Sequence, residues 1–354
     1  MGNNRLNGIA VPLTIWFAAS HRELPWRENK DPYRVWLSEI MLQQTRVEAV
    51  KPYYARFLAA LPDIRALSEC PHDTLMKLWE GLGYYSRARN LQKAAQVIMA
   101  EHGGEFPRTY DEIRALPGIG DYTAGAIASI CYGLPEPAVD GNVLRVYTRL
   151  LGDARCTDDT AVKRDIREQL RHVYEACGDC GMLTQALMEL GATVCVPNGA
   201  PHCEACPLKE SCEAYRTDTA ADYPVRKTKK ARRIEEYTVY IMQCGDRIAL
   251  QKRPKTGLLA GLWELPHSDG KRGAQAALDA IAEWGAGTCE LVSIRQKKHI
   301  FTHIEWHMAA VHILCTKSPE RFTWVTAEEL RAEAALPTAF RICLPDKLGM
   351  RSEE

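Results

Sequence analysis

Four cysteines lie in one short segment, separated by seven, two and five residues: Cys195, Cys203, Cys206 and Cys212. Four thiolates can hold either a tetrahedral zinc ion or a 4Fe–4S cluster. Zinc ribbons usually contain two Cys-x2-Cys pairs, whereas this segment contains one. The spacing therefore predicts a metal centre whose type it leaves open. Another Cys-x2-Cys, at residues 177–180, stands alone and is most simply a coincidence.

Two acidic residues have surroundings that would give them different protonation states. Glu39 lies in an apolar helical stretch, residues 36–44, where loss of water raises the pKa of a carboxyl. Asp140 follows a predicted loop and has small polar neighbours, so it is better placed to stay ionised. Such a pair suits cleavage of an N-glycosidic bond, in which one acid protonates the leaving base and one carboxylate stabilises the sugar cation. Without the other motifs, the better interpretation would be that Glu39 lies on a helix surface and that Asp140 is a helix N-cap.

A turn of sequence Leu-Pro-Gly-Ile-Gly, residues 116–120, lies between two predicted helices. Gly118 and Gly120 permit a tight turn with exposed backbone N–H groups just before a helix begins. Such groups bind anions, and phosphate is the natural ligand. Alone, the turn could be a plain helical connection. Together with Val-Asp-Gly-Asn at residues 139–142, it resembles the helix-hairpin-helix motif that contacts the DNA backbone.

The elements that must position these residues are helices. Between about residues 10 and 215, apolar segments with helical spacing alternate with breaks marked by proline and glycine. Thr109 to Glu112 has the pattern of a capping box, which predicts a helix start. Another helix is predicted from Tyr122 to Cys131. We therefore expect an all-α domain over residues 1–215.

The sequence changes character after residue 215. Residues 216–236 are typical of a linker, in which six of the eight residues from 226 to 233 are basic. This run suits either a solvated tether or a strap that contacts phosphates. Strand patterns then predict a smaller α+β domain over residues 237–354, with a hairpin over 237–244 and 247–252, a helix over 274–284, strands over 289–294 and 299–314, and a short helix after Thr326.

The overall composition is that of a soluble protein with more than one domain. The chain has 354 residues, of which 46% are hydrophobic, and its formal net charge is zero. A DNA-binding surface would therefore be a local basic patch. The sequence has no transmembrane segment and no signal peptide, so we expect a cytoplasmic protein, associated with the nucleoid through DNA. In that compartment its thirteen cysteines would stay reduced.

Several motifs occur in the order found in MutY-type adenine DNA glycosylases, an iron–sulfur family of base-excision enzymes that this chain resembles. The match is dense over roughly residues 11–215 and looser over 237–345. It comprises Leu-Pro-Trp-Arg at 24–27, the segment 36–44, Gly-Leu-Gly-Tyr-Tyr-Ser-Arg-Ala-Arg-Asn at 81–90, the hairpin, Val-Asp-Gly-Asn at 139–142, and the cysteines. Family members space their cysteines by six, two and five residues, so the first gap here is one residue longer.

This resemblance implies a multi-domain fold and a substrate. The expected fold is an all-α helix-hairpin-helix glycosylase domain with a 4Fe–4S cluster in the loop 195–212, followed by an α+β Nudix-like domain. The expected partner is double-stranded DNA that contains A:8-oxoguanine or A:G mispairs, bound by a monomer. The expected activity is hydrolytic removal of the mispaired adenine.

The resemblance also implies a role for each motif residue. Glu39 would protonate adenine at N7, Asp140 would stabilise or capture the sugar cation, and Asn142 would orient Asp140. Tyr122 matches the catalytic tyrosine of the family. The remaining assignments are Trp26, Arg27 and Gln185 in the adenine pocket, and Gln44 and Tyr84 in the base stack when the adenine is flipped out.

Tyr122 also bears on whether the DNA strand is cut. Relatives that resemble endonuclease III carry a lysine at this position, which forms a Schiff base with the sugar. Because this chain has tyrosine there, we expect a monofunctional glycosylase.

Residues 257–266, Gly-Leu-Leu-Ala-Gly-Leu-Trp-Glu-Leu-Pro, resemble part of a Nudix-like domain that reads 8-oxoguanine. Of the carboxylates that a Nudix hydrolase would place on the following helix to hold magnesium, only Asp279 and Glu283 are present, which favours recognition over hydrolysis. Phe301, Thr302 and His303 resemble the Phe-Ser-His loop of the family, with threonine in place of serine. The alternative is that they are ordinary alternating residues of a strand.

Three other functions fit parts of the sequence. A bifunctional glycosylase/lyase for oxidised pyrimidines is disfavoured by Tyr122 and by the second domain. A non-catalytic iron–sulfur DNA-binding module would not need both Glu39 and Asp140. A Nudix nucleotide hydrolase is disfavoured by the depleted carboxylates.

Overall fold

The computed structural model describes residues 2–228 and 231–345, which fall into two units. The first unit comprises Met1–Glu69 and Arg89–Thr228, and the second comprises Cys70–Ala88 and Lys229–Glu354. Lys229 and Lys230, which belong to the basic run, lie outside the described residues. Within the described part of the chain, no helix is long and apolar enough to cross a membrane.

The first unit is helical, as expected. One helix, α7 (Ser86–Glu101), begins at the boundary between the units, and α6 (His72–Leu78) belongs to the second unit. The other helices of the first unit are α1 (Gly2–Asn7), α2 (Ala10–Ser20), α3 (Pro32–Leu42), α4 (Val47–Ala60), α5 (Ile64–Glu69), α8 (Tyr110–Ala115), α9 (Asp121–Tyr132), α10 (Gly141–Leu151), α11 (Thr160–Ala176), α12 (Cys180–Thr193) and α13 (Glu213–Arg216).

Local signals in the sequence account for two of these helices. The capping box at Thr109 is present and begins α8, since its side chain accepts from the backbone N–H of Glu112 while the Glu112 side chain reaches back. The helix predicted from Tyr122 to Cys131 is confirmed as α9. A Cβ atom at Gly125 would lie 2.5 Å from the carbonyl oxygen of Pro137, so glycine is what lets α9 approach the loop before Asp140.

A single apolar cluster joins the helices at the two ends of this unit. It includes Leu13 and Phe17 of α2, Val146 of α10, Ile166 of α11 and Leu187 of α12, all of them buried. The cluster therefore fixes α10 against α12, the two helices that carry Asp140, Asn142 and Gln185 at or near their inner faces.

Among its described residues, the second unit contains a seven-stranded sheet and three further helices. The elements are β1 (Arg233–Cys244), β2 (Arg247–Lys252), β3 (Trp263–Glu264), β4 (His267–Asp269), α14 (Ala274–Glu283), β5 (Cys289–Ile300), β6 (Ile304–Cys315), β7 (Thr323–Thr326), α15 (Ala327–Ala332) and α16 (Thr338–Arg341). The main path of the sheet has the order β3-β2-β1-β6-β5. Strand β1 runs parallel to β6, β5 is antiparallel to β6, β4 pairs with β1, and β7 pairs with β2.

Both faces of this sheet are covered. Val239 and Ile241 of β1 belong to an apolar cluster with α15 and α16, whereas Tyr240 and Met242 belong to a second cluster with α14. Alternate residues of a strand point to opposite faces, so this continuous apolar run is what a central strand requires.

One strand prediction was wrong, and the error moves a candidate site. The sequence suggested a break between residues 294 and 299, but β5 continues to Ile300 and the chain turns at residues 301–303. Phe301, Thr302 and His303 therefore lie in the β5–β6 turn and not within a strand. The basic residues between 295 and 299 suggested an interruption of the strand. In the structure they belong to β5, an outer strand of the sheet, and their side chains alternate between more and less exposed positions.

Residues Cys70–Ala88 pack with the sheet unit. Lys77 Nζ donates to the carbonyl oxygens of Leu330 and Ala334 at 3.3 and 3.2 Å. The Glu80 carboxylate accepts from the backbone N–H of Leu336 at 2.9 Å. These bonds hold the segment that carries Tyr84 in the same unit as residues 301–303.

Candidate active site

A cavity of about 660 Å³ lies among the helices of the first unit. It is lined by the C-terminal half of α3, the start of α9, the loop that enters α10, and the inner face of α12. Eight residues that the sequence predicted for one site line this cavity together: Trp26, Arg27, Glu39, Gln44, Tyr122, Asp140, Asn142 and Gln185.

Glu39 is the buried carboxyl of this cavity. Helix α3 begins at Pro32, with Asp31 as an N-cap that accepts from Arg34 N at 2.9 Å, and the helix buries most of its residues, including Glu39 at 6% exposure. Burial raises the pKa of Glu39 to about 7, and the nearby Asp140 also raises it. A hydrogen bond from Tyr122 and the charge of Arg27 act in the opposite direction. The carboxyl can therefore carry a proton near neutral pH.

Tyr122 holds that carboxyl in place. It lies in the first turn of α9, and its Oη donates to Glu39 Oε2 at 2.5 Å. Burial, together with the charges of Glu39 and Asp140, raises the pKa of Tyr122 well above its ordinary value, so the phenol stays protonated and acts as a donor.

Asp140 is the N-cap of α10 and also faces the cavity. Its Oδ1 accepts from the backbone N–H of Val143 at 2.8 Å, and its Oδ2 accepts from Asn142 Nδ2 at 2.8 Å. Burial raises the pKa of Asp140, whereas the hydrogen bonds from Val143 and Asn142 and the charge of Arg145 lower it. The sequence did not indicate this burial, and an ionised Asp140 stays a prediction.

A buried arginine, Arg145, fixes the orientation of the Asn142 side chain. Arg145 Nη2 donates to Asn142 Oδ1 at 2.9 Å and to the carbonyl oxygen of Gly191 at 2.6 Å. A Cβ atom at Gly191 would lie 2.5 Å from Asn142 Cβ, so only glycine lets α12 come this close. The amide of Asn142 is thus oriented with its oxygen toward Arg145 and its nitrogen toward Asp140.

The turn at residues 116–120, predicted to bind phosphate, is tight and leads directly into a helix, as its two glycines suggested. Gly118 has φ +77°, and a Cβ atom there would lie 2.5 Å from Asn90 Cβ. Gly120 is the N-cap of α9. The turn between α8 and α9 therefore presents a helix N-terminus of the kind that binds anions.

Sequence reasoning missed four charged residues that line the cavity, Arg22, Asp158, Lys163 and Glu189, and it identified Arg226 only as part of the basic run. Arg22, whose side chain is 38% exposed, forms an ion pair at 2.7 Å with the buried Glu189. The neighbours of Arg226 are fixed, because Val225 O accepts from Thr157 N at 3.0 Å and Lys227 N donates to Asp158 at 2.8 Å. For Glu189, the usable signal was an acid in the otherwise apolar stretch from 186 to 192.

The remaining predicted contacts lie in the second unit. Tyr84 has a positive φ of 46° and is 46% exposed, and its Oη lies 2.7 Å from Thr302 Oγ1. Phe301 stacks edge-on against His299 and Trp306, with ring centroids 4.6 and 4.9 Å apart. His303 is exposed. The structure thus pairs Tyr84 with Thr302 and anchors Phe301 in the sheet.

The four spaced cysteines line one small cavity of about 30 Å³, together with Arg149 and apolar side chains. Arg149 Nη1 donates to Cys195 Sγ at 3.3 Å. The charges of the other three cysteines each contribute to a raised pKa of Cys206, after the larger effect of burial. Among the described residues, no three Cys, His or carboxylate side chains are arranged to hold a single metal ion.

Comparisons with known proteins agree with this organisation. Residues 37–172 match the HhH-GPD superfamily of base excision DNA repair proteins, and residues 237–345 match the NUDIX domain family. The chain is 33% identical to the adenine DNA glycosylase of Mus musculus, covering 93% of this chain and 76% of the relative. It is 34% identical to that of Schizosaccharomyces pombe, covering 90% and 85%.

Among solved structures, the chain is similar to a thermostable thymine-DNA glycosylase, with 27% identity and a TM-score of 0.55 over 61% of this chain and 98% of that one. A trapped endonuclease III–DNA covalent intermediate is 25% identical, with a TM-score of 0.51 and the same coverage. The helical unit therefore has the fold of DNA glycosylases. With relatives of this identity and coverage, the chain belongs to the adenine DNA glycosylases, the base-excision repair enzymes that remove adenine from DNA.

Proposed function

We propose that this glycosylase removes adenine mispaired with 8-oxoguanine or guanine by hydrolysis alone, without cutting the strand. The observation that carries the proposal is the joint placement of a buried carboxyl, Glu39, and a capped aspartate, Asp140, in one cavity. Their pKa values are both raised by burial, but only Asp140 accepts hydrogen bonds from a backbone N–H and an amide.

The proposed reaction uses these two groups in sequence. Glu39 donates its proton to N7 of the flipped adenine, so that the base departs as a neutral molecule. Asp140 stabilises or captures the positive charge that develops on the sugar, and Asn142 keeps its carboxylate oriented. Water then completes the hydrolysis at the sugar carbon.

The proposal that the enzyme does not cut the strand rests on which lysine amines in the cavity could form a Schiff base with the sugar. Tyr122 occupies the position at which a lysine would form a Schiff base, and its hydroxyl is already bonded to Glu39. Lys163 is the one lysine among the described residues that line the cavity. A strand break that disappears in Lys163→Ala would identify this amine as a lyase nucleophile and overturn the assignment.

Recognition of 8-oxoguanine is assigned to the second unit. The Tyr84–Thr302 contact of 2.7 Å joins a planar ring to a hydroxyl in the β5–β6 turn. A ring can occupy a stack of bases, and a hydroxyl can bond the edge of a base. Threonine keeps the hydroxyl of the serine found in the family, so Thr302→Ala should lower the preference for 8-oxoguanine over guanine.

The cysteine cavity fits a 4Fe–4S cluster, which endonuclease III-like members of this superfamily generally carry. Four thiols surround an apolar space, and Arg149 donates to one of them. The presence of one Cys-x2-Cys pair in this segment, where zinc ribbons usually have two, favours a cluster over zinc. When bound, the cluster would cross-link residues 195–212; Cys195, Cys203, Cys206 and Cys212 would hold it.

The direct test is base release from a duplex with adenine opposite 8-oxoguanine, analysed with and without alkaline treatment. Cleavage that appears only after alkali supports a monofunctional adenine glycosylase. Cleavage without alkali contradicts the assignment of Tyr122. A protein that contains its cluster, binds the duplex and releases no base contradicts the proposed substrate.

A further inference from the structure

Glu189 is a buried carboxylate that the reaction just described does not use. It lies on the inner face of α12, where its side chain is 1% exposed. Three donors of Arg22 reach it: the backbone N–H at 3.2 Å, Nε at 2.7 Å and Nη2 at 2.8 Å. Arg27 Nη2 adds a fourth bond at 2.8 Å. One carboxylate therefore binds two arginines, and all three line the active-site cavity.

The contacts of Arg27 show that its position depends on this carboxylate. Its Nη1 donates to the carbonyl oxygen of Arg22 at 3.0 Å, and its guanidinium lies 5.2 Å from the centre of the Phe17 ring. The bonds to Glu189 and Arg22 fix both ends of the guanidinium fork. Removing the Glu189 carboxylate would free the guanidinium of Arg27 and leave that positive charge without its negative partner.

That cation lies close enough to Glu39 to affect its charge state. Arg27 lowers the pKa of Glu39, against the larger effect of burial. Glu189 is firmly ionised, since its bonds with Arg22 and the charge of Arg27 outweigh its own burial and lower its pKa to about 2. The titratable and charged groups that line the cavity are Arg22, Arg27, Glu39, Tyr122, Asp140, Asp158, Lys163, Glu189 and Arg226.

We propose that Glu189 is a positioning residue that holds Arg27 against the base-binding cavity and offsets the positive charge of Arg27 beside Glu39. This inference rests on the proposed function, because it concerns the same acid. A cation near the base favours the ionised form of a neighbouring acid. The negative charge of Glu189 reduces this effect of Arg27, so that Glu39 can stay protonated in the same pocket. An uncharged residue of the same size would fill the space and lose this balance.

The expected effect has a definite sign. Without the negative charge of Glu189, the ionised form of Glu39 is favoured, so the acid loses its proton at lower pH. We expect this change to lower the pKa of Glu39 by up to roughly one unit. Activity needs protonated Glu39, so the loss of base release caused by Glu189→Gln should be roughly tenfold larger at about pH 8 than at about pH 5.

The experiment is single-turnover base release by full-length enzyme in excess over an A:8-oxoguanine duplex, from about pH 5 to 9. Glu189→Gln should move the high-pH loss of activity down by about one unit. The matched control is Glu264→Gln, which removes another buried carboxylate bonded to an arginine, Arg253, but one that does not line the cavity. This control should keep the profile of the unmodified enzyme.

Two results would overturn the inference. A uniform loss of activity at every pH would mean that Glu189 is only structural, and an unchanged profile would mean that it has no electrostatic role. Should Glu189→Gln fail to fold, Arg27→Gln gives an independent measure, because loss of the cation should move the profile to higher pH; no movement would contradict the inference. If the unmodified enzyme releases no adenine, the proposed function has failed, and that outcome is seen before any variant is compared.

Discussion

Removing the hydroxyl of Tyr122 should make the catalytic acid harder to ionise. Tyr122 Oη donates to Glu39 Oε2 at 2.5 Å, and its other polar neighbour is Met188 Sδ at 3.9 Å. The substitution Tyr122→Phe therefore deletes one strong interaction and leaves the packing of α9 in place. A hydrogen bond donated to a carboxylate stabilises its ionised form, so its loss favours the protonated form.

The size of the effect follows from that hydrogen bond. Bonds to charged groups contribute about 1.5–3 kcal/mol, and about 1.4 kcal/mol corresponds to one pKa unit. The pKa of Glu39, about 7 in the unmodified enzyme, should therefore rise by roughly one to two units. Because the active form is protonated, activity that is lost as pH rises through the pKa should persist to higher pH. The rate at low pH should fall, since the carboxyl loses its fixed orientation.

Single-turnover base release measured against pH tests this. Tyr110→Phe is a suitable control, because it removes another tyrosine hydroxyl bonded to a carboxylate, that of Asp121 at 3.2 Å, away from the cavity. The control should leave the profile unchanged. If Tyr122→Phe leaves the high-pH loss of activity in place or moves it to lower pH, the hydrogen bond does not stabilise the Glu39 carboxylate and the electrostatic account is wrong.

Four further predictions concern single residues. Glu39→Gln should abolish base release yet stabilise the fold by about 3 kcal/mol near pH 8 and little near pH 5, measured by urea unfolding, because a carboxyl with a pKa of about 7 is costly to ionise in the folded state. Asp140→Asn should also abolish release while changing stability by less than about 0.5 kcal/mol and keeping duplex affinity, since asparagine caps a helix as well as aspartate does. Arg226→Ala should reduce the slope of log affinity against log salt by about one if it meets a phosphate, whereas Arg216→Ala, whose guanidinium pairs with a glutamate, should not; equal slopes would favour a solvated tether. Cys203→Ser should lower bound iron, assayed by metal analysis; stoichiometric zinc in the unmodified protein would contradict the cluster.

Motifs whose residues are close in sequence were predictable. The capping box at Thr109, the helix α9 and the turn with Gly118 depend on contacts within a few residues, so their patterns are complete in a short window. The pairing of Asp140 with Asn142 is equally local. The family and the two-part fold followed from the order of these motifs, and both are confirmed by the comparisons.

The charge balance of the site was not predictable, because it depends on residues far apart in the chain. Glu189 meets Arg27 across 162 positions, and Tyr122 meets Glu39 across 83. No local pattern links such pairs, and an isolated glutamate in an apolar helix has many explanations. The effect of burial on Asp140 was missed as well, since its small neighbours suggested exposure.

Asp140 shows that a structural role and a chemical role can require the same geometry. As N-cap, its carboxylate must turn back toward the first N–H groups of α10, and it accepts from Val143. Those donors, the positive end of the helix and the amide of Asn142 all favour the ionised form, which burial in the cavity opposes. The hydrogen bonds at the start of α10 therefore lower the pKa of Asp140, against the larger effect of burial, which raises it. The opposite arrangement holds for Glu39, in the middle of α3, where the backbone donors are already used and burial raises the pKa. These two positions within their helices support the proposed assignment of Glu39 as the proton donor and of Asp140 as the stabiliser of the sugar cation.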